Sequence, residues 1–167
     1  LPDVAQLTQS TACHGWLPRS PDLINLRRLF LNIPDTTGKH LPCTLANELL
    51  YTDIFLDGSC AFPTEADLRV ASWAFVVWTG QFFQLVASGV VPGWRQTSLR
   101  AEISAAISAM KFCVDQCKPC RLWFDNESVQ TMIQQWIEGF DPPYQHKQDA
   151  DLWHQLHCQF QHARPFV

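Results

Sequence analysis

Three acidic residues stand where a charge is costly: Asp57 at the end of the apolar run in YTDIFLDGSC, Glu102 inside RAEISAAISAM, and Asp125 closing CRLWFD. Desolvating a lone carboxylate is unfavourable, so three of them in apolar settings raise the question of a shared partner. Two carboxylates about 4 Å apart repel by roughly 4 kcal/mol at an effective dielectric of about 20. Three therefore ionise together only if something neutralises them. Divalent cations do this best; all-oxygen donors with room for water favour Mg²⁺ or Mn²⁺ over zinc, and paired ions of that kind serve attack on phosphodiesters.

Each acid also has a plainer reading. Asp57 before Gly58 is a common turn pair, and Asp125 before Asn126 has the composition of a helix cap. Glu102 would suit the first turn of a helix, but the residue that would complete a capping box with it, at position 99, is Leu. A second constellation is set aside. Cys113, Cys117 and Cys120, with His154, His157, Cys158 and His162 further on, contain no paired CxxC motif of a zinc site. The stretch HQLHCQFQH lacks the glutamate of a metalloprotease helix, so its histidines read as solvated or capping groups.

The elements that must position the acids follow from pattern. TDIFLDGS, RVASWAFVVW and QFFQLVASGVV read as three strands of an antiparallel meander, with Thr79 and Gly80 as a tight hairpin between the second and third. QTSLRAEISAAISAMKF carries Leu99, Ile103, Ala106 and Met110 at helical spacing behind a cap at Thr97 or Ser98. CRLWFD is a short strand. NESVQTMIQQWIEGF is a helix with Val129, Met132, Ile133 and Trp136 on one face and Gly139 at its end. DPPYQHKQ is a loop, DADLWHQLHCQFQH a third helix, and RPFV the first residues of a further strand. A strand, crossover helix and strand make the two strands parallel. If CRLWFD lies beside DIFLD, Asp57 and Asp125 end adjacent strands at one sheet edge, and Glu102, one turn into the crossover helix, can reach the same corner. The alanines 101, 105, 106 and 109 let that helix lie close to the sheet.

Before Tyr51 the texture differs. Residues 1 to 48 hold Pro2, Pro18, Pro21, Pro34 and Pro42 and several turn signals, and only PDLINLRRLFLNIP has an ordered pattern, with Leu23, Leu26, Leu29 and Phe30 at helical spacing. The expectation is a linker or the end of a preceding domain, followed by one domain over residues 49 to 167. A chain of 167 residues, 47% hydrophobic, has enough material for one such core. The net charge of −4 gives no basic footprint for strong unaided nucleic-acid binding. Seven cysteines and no signal-like N-terminus point to a reducing intracellular compartment, cytoplasm or nucleus, and no apolar run reaches the roughly 20 residues of a membrane span, so a soluble chain is expected.

Four of these motifs, in order, resemble ribonuclease H: LDGSC ending the first strand, RAEISAAISAM in the first helix, FDNESVQTMIQQWI where an Asp closes the fourth strand, and DADLWHQL opening a later helix. The resemblance covers residues 51 to 167. It implies an α/β fold with a mixed sheet of order 3-2-1-4-5, a three-stranded antiparallel meander plus parallel strands, flanked by helices, with the last strand incomplete and the domain lacking its C-terminal part. It implies an endonuclease that hydrolyses the RNA strand of RNA/DNA hybrids with two Mg²⁺ ions, Mn²⁺ being an acceptable substitute. Asp57, Glu102 and Asp125 would be the catalytic and metal-binding residues, with Asp57 shared by both ions.

Gly58, Ser59, Ser98 and Asn126 would contact substrate, around the groove in which the 2′-hydroxyl marks RNA. Ser98 stands where many relatives carry Asn. The family's fourth carboxylate and a loop His would fall beyond Val167; Asp149 and Asp151 do not replace them, since Asp151 belongs to the Asp-Leu-Trp helix start. The basic protrusion of some relatives is reduced here to IEGFDPPYQHK. QTSLRAE and the proline-rich lead-in suggest a domain that follows a reverse transcriptase in a retroelement polyprotein. The competing readings are a catalytically inactive ribonuclease H-like module that binds nucleic acid or packs against a reverse transcriptase, and another nuclease of the superfamily such as a transposase core.

Overall fold

The computed structural model describes residues 51–65, 68–140, 143–144 and 147–167. The proline-rich segment, the helix expected within residues 21 to 34 and the boundary at residues 48 and 49 lie outside the described residues. Among those described, strand β1 (Thr52–Ala61), β2 (Val70–Trp78) and β3 (Phe83–Val90) are followed by helix α1 (Ser98–Gln116), β4 (Cys120–Trp123), α2 (Glu127–Ile137) and α3 (Ala150–Ala163). The sheet runs β3-β2-β1-β4, antiparallel except for the parallel pair β1 and β4. The expected order is met for 3-2-1-4 alone: RPFV is a turn after α3 and not the start of a strand, although the N–H of Cys120 in β4 donates to the carbonyl of Phe166 within it.

Alternation in β1 and β2 sends Ile54, Leu56, Trp73, Phe75 and Val77 to one face, all buried. α1 lies on that face, and its other side packs on α3. A helix held between two layers needs small residues, which is why Ala101, Ala105, Ala106 and Ala109 are fully buried. Met110 and Phe112 from α1, Trp153, Leu156 and Phe160 from α3, and Val129 and Met132 from α2 complete the core.

Three details depart from the sequence pattern. The β2–β3 connection is four residues, not two: Trp78 pairs with Phe83, and the Thr79 N–H and hydroxyl both donate to the Phe82 carbonyl, at 3.1 and 3.0 Å. The threonine side chain supplies turn bonds that a two-residue hairpin would lack. A bulge interrupts β3, where Phe75 pairs with Ala87 and the adjacent Val76 pairs with Leu85. Val86 is the extra residue, and it and Ala87 are both buried, so the inward phase shifts by one. Third, β1 does not turn at Gly58; it continues to Ala61, paired with β2 throughout.

The chain between β3 and α1 is held by Gln96, a buried side chain whose amide accepts from the Ala71 N–H at 2.7 Å and donates to the carbonyls of Val91 and Gly93 at 2.8 and 2.7 Å. Thr97, rather than Ser98, caps α1, its hydroxyl accepting from the Arg100 N–H. No helix among the described residues is long and apolar enough to cross a membrane.

Candidate metal centre

Asp57 lies within β1, not at its end, and its carboxylate is exposed. The parallel register pairs Phe55 with Trp123; continued two residues, it brings Asp57 level with Asp125, just past the end of β4. β4 stops two residues short, and this leaves the corner open. Glu102, in the second turn of α1, is buried and reaches the same place. One carboxylate oxygen from each of Asp57, Glu102 and Asp125 lies within 4.8 Å of the others, and these acids are the one candidate metal-ligating group among the described residues.

The close approach of helix to strand comes from Gly58. A Cβ there would stand 2.3 Å from the Glu102 nitrogen and 2.5 Å from the Ala101 carbonyl carbon. The backbone N–H of Gly58 also donates to the Glu102 carboxylate. Gly58 is therefore a packing and hydrogen-bonding residue here, and the turn reading of Asp57-Gly58 fails with it. The capping alternative for Asp125 fails too, since the side chain of Asn126 is the cap of α2, accepting from the Val129 N–H at 3.2 Å.

Burial raises the Glu102 pKa to about 7, with the Asp125 charge adding to it; the Gly58 N–H opposes the shift, and Asp57 and a hydrogen bond with Asp125 push further upward. A carboxyl held half-protonated near neutrality by burial and by two neighbouring acids is one whose negative charge lacks a counter-ion. The donor set is all oxygen, which suits hard divalent cations and disfavours zinc.

The other sequence candidates have separate surroundings. Ser59 is exposed, its hydroxyl 3.4 Å from that of Ser72 across the β1–β2 pair, and Ser98 is exposed at the first residue of α1. Asn126 is committed through its Oδ1 to the cap. The cysteines make no site: the thiols of Cys113 and Cys120 are buried and hydrogen-bonded to each other, while Cys117 is exposed in a left-handed conformation at the end of α1. The histidines of α3 are better partnered than the sequence suggested, with the Tyr144 hydroxyl 3.2 Å from the Nδ1 of both His154 and His157 and Trp136 stacked on His157 at 4.8 Å.

Arg100 was not anticipated. Two residues before Glu102, it is buried and donates to Asp149 Oδ1 at 2.9 Å and to both oxygens of Asp151 at 3.0 and 2.8 Å. Asp149 is itself 1% exposed and left-handed, at φ 65°. The start of α3 thus clamps the first turn of α1, directly before the turn that carries Glu102. The available signal was an arginine beside Leu99 and Ile103 on a stripe otherwise apolar.

No protein-family model and no curated protein matches the chain. A foamy viral protease-reverse transcriptase, solved in complex with an RNA/DNA hybrid, matches in structure over 80% of this chain and 19% of its own, at 17% identity and a TM-score of 0.53. The PFV RNase H domain matches over 66% of this chain and 72% of its own, at 19% identity and a TM-score of 0.49. An N-terminal RNase H domain from Mycobacterium tuberculosis matches over 67% and 75%, at 18% identity and 0.46. The described residues form a mixed sheet of order β3-β2-β1-β4, antiparallel except for one parallel pair and flanked by helices, consistent with the ribonuclease H fold expected from the sequence. This chain spans about a fifth of that protease-reverse transcriptase. At these identities the likeness is one of fold alone.

Proposed function

We propose that this chain carries a ribonuclease H active site and hydrolyses the RNA strand of RNA/DNA hybrids. The observation that supports this most is the convergence of Asp57, Glu102 and Asp125, from two strands and a helix far apart in sequence, to within 4.8 Å. Asp57, Glu102 and Asp125 would hold two divalent ions, Mg²⁺ or in its place Mn²⁺, with Asp57 shared. Bound there, such ions supply an activated water and neutralise charge on the phosphodiester.

The chain's own contributions are positional. β1 and β4 fix two carboxylates at one level, Gly58 lets α1 approach, and the Arg100 clamp holds the turn before the one that bears Glu102. Ser59, Ser98, Asn126 and the backbone at Gly58, each close in sequence to one of the acids, would contact the hybrid's minor groove, where the 2′-hydroxyl is read. The net charge of −4 makes a neighbouring domain, such as a reverse transcriptase in the same polyprotein, the source of most hybrid affinity.

The test is cleavage of an end-labelled RNA/DNA hybrid with Mg²⁺ or Mn²⁺, by this chain and by versions extended at either end. Loss of cleavage in Asp57→Asn, at unchanged folding, is expected. Equal cleavage by Asp57→Asn, or hybrid binding without cleavage by every wild-type version, would overturn the enzymatic reading, and the second result would favour the inactive binding module.

A further inference from the structure

Past Asp57, β1 runs on to Ala61, and the chain that enters α1 comes back against that end of the strand. The Cys60 thiol lies 3.5 Å from the Gln96 carbonyl, while the Gln96 side chain holds Ala71, the β2 partner of Cys60, together with Val91 and Gly93. Two aromatic side chains outside the core stand there. Trp94, on the loop that Gln96 ties down, is 79% exposed, the most exposed large apolar side chain among the described residues. Phe62, one residue past β1, is 45% exposed and stands at φ 52°, a left-handed conformation that a bulky residue rarely takes. Strain of that kind collects at binding sites. The Arg95 guanidinium lies over the Trp94 ring, 5.8 Å from its centroid, and 3.7 Å from Asp149, so the indole is braced on one side and open on the other.

Distance and chemistry select the ligand. The strand from Asp57 to Ala61 covers about 13 Å, or about four base steps at roughly 3.4 Å each. A duplex with a phosphate at the three acids, continuing along β1, therefore brings sugars four or five steps away against Phe62 and Trp94. Flat apolar rings pack on sugar and base faces without regard to sequence and need no positive charge, which suits a chain of net charge −4. In the minor groove a ribose presents its 2′-hydroxyl, which would lose its hydrogen bonds against an indole, whereas a deoxyribose presents carbon. The rings are thus matched to the DNA strand.

We infer that Phe62 and Trp94 form an aromatic platform that grips the deoxyribose edge of an RNA/DNA hybrid about four to five base steps from the acids. The inference rests on the reading of Asp57, Glu102 and Asp125 as a hybrid nuclease centre, and a binding assay separates the two. Its test is fluorescence anisotropy of a labelled hybrid of about 18 base pairs, longer than the span to the platform, titrated with the whole chain in Ca²⁺ so that the acids are neutralised. Trp94→Ala should weaken binding about tenfold through loss of one packed ring, with Trp94→Phe close to the parent and the urea midpoint unchanged. Phe62→Asn, a residue suited to the left-handed backbone, should weaken binding several-fold at parental stability or better.

Apolar packing displaces no counter-ions, so the Trp94→Ala loss should be the same at about 50 and about 200 mM salt, and duplex RNA should be bound equally by parent and variant. Equal hybrid binding by parent and Trp94→Ala, no hybrid binding by the parent, or an equal loss on duplex RNA would overturn the inference. Binding that depends on Trp94 without any Mg²⁺-dependent cleavage would uphold the platform and remove the nuclease reading.

Discussion

Replacing Gly58 by alanine should damage stability and chemistry together, because one atom would sit where α1 already is. The added Cβ would lie 2.3 Å from the Glu102 nitrogen, 2.5 Å from the Ala101 carbonyl carbon and 2.8 Å from the Glu102 Cα, whereas ordinary contact begins at 3.4 Å. All three obstructing atoms are backbone, so no rotamer change relieves the clash. The first turns of α1 must retreat by roughly 1 Å, and overpacking of this kind costs about 1 to 3 kcal/mol. With α1 clamped on its far side by α3, the upper end applies: a loss of about 3 kcal/mol, or roughly 10 °C in melting temperature for a domain of this size.

The same retreat carries Glu102 away from Asp57 and Asp125, and a misplacement of about 1 Å can lower a rate about 100-fold. Urea titration should show a lower midpoint at unchanged slope, and hybrid cleavage should fall further than the folded fraction does. Gly139→Ala is the control. Its φ of 86° makes alanine strained, but nothing lies within 4 Å, so it should cost about 1 kcal/mol and leave cleavage alone. A Gly58→Ala chain with the parent midpoint would refute the described approach of α1 to β1.

Arg100→Ala would leave buried Asp149 only the more distant Arg95, at 3.7 Å, as a cationic partner and should cost about 3 kcal/mol by urea unfolding, with Arg100→Lys recovering only part, since lysine cannot span both Asp151 oxygens. Asn126→Ala should lose about 1 kcal/mol by removing the α2 cap. Glu102, with a folded pKa of about 7 against the 4.5 of an ordinary glutamate, binds more protons folded than unfolded. Ion-free stability should therefore be highest below the lower value and decline as pH rises through 7. Thermal melts from pH 4 to 8 should show this decline, Glu102→Gln should abolish its share, and millimolar Mg²⁺ should flatten it by favouring the ionised acids.

Much of the architecture was legible in the sequence. Period-two alternation marked the meander, period 3.6 marked the helices, and the three acids could be brought to one corner by topology alone. Asp57-Gly58 was misplaced at a strand end because a glycine needed for helix approach and one needed for a turn look alike in sequence. The β3 bulge and the four-residue connection were hidden for a related reason, since Val86 extends an apolar run whether or not it is paired. Asp149 was illegible as a partner of Arg100: 49 residues separate them, and its left-handed backbone is set by the fold.

Among the described residues β3 ends the sheet, with Val86 bulged out of step in its middle. A free strand edge invites another chain to pair along it, and a bulge breaks the even row of donors and acceptors such a chain would need. The irregularity that re-aims two side chains into the core thus also guards the domain against zipping edge to edge into aggregates, a protection that matters more with Phe83, Leu85 and Trp123 exposed on the adjoining face.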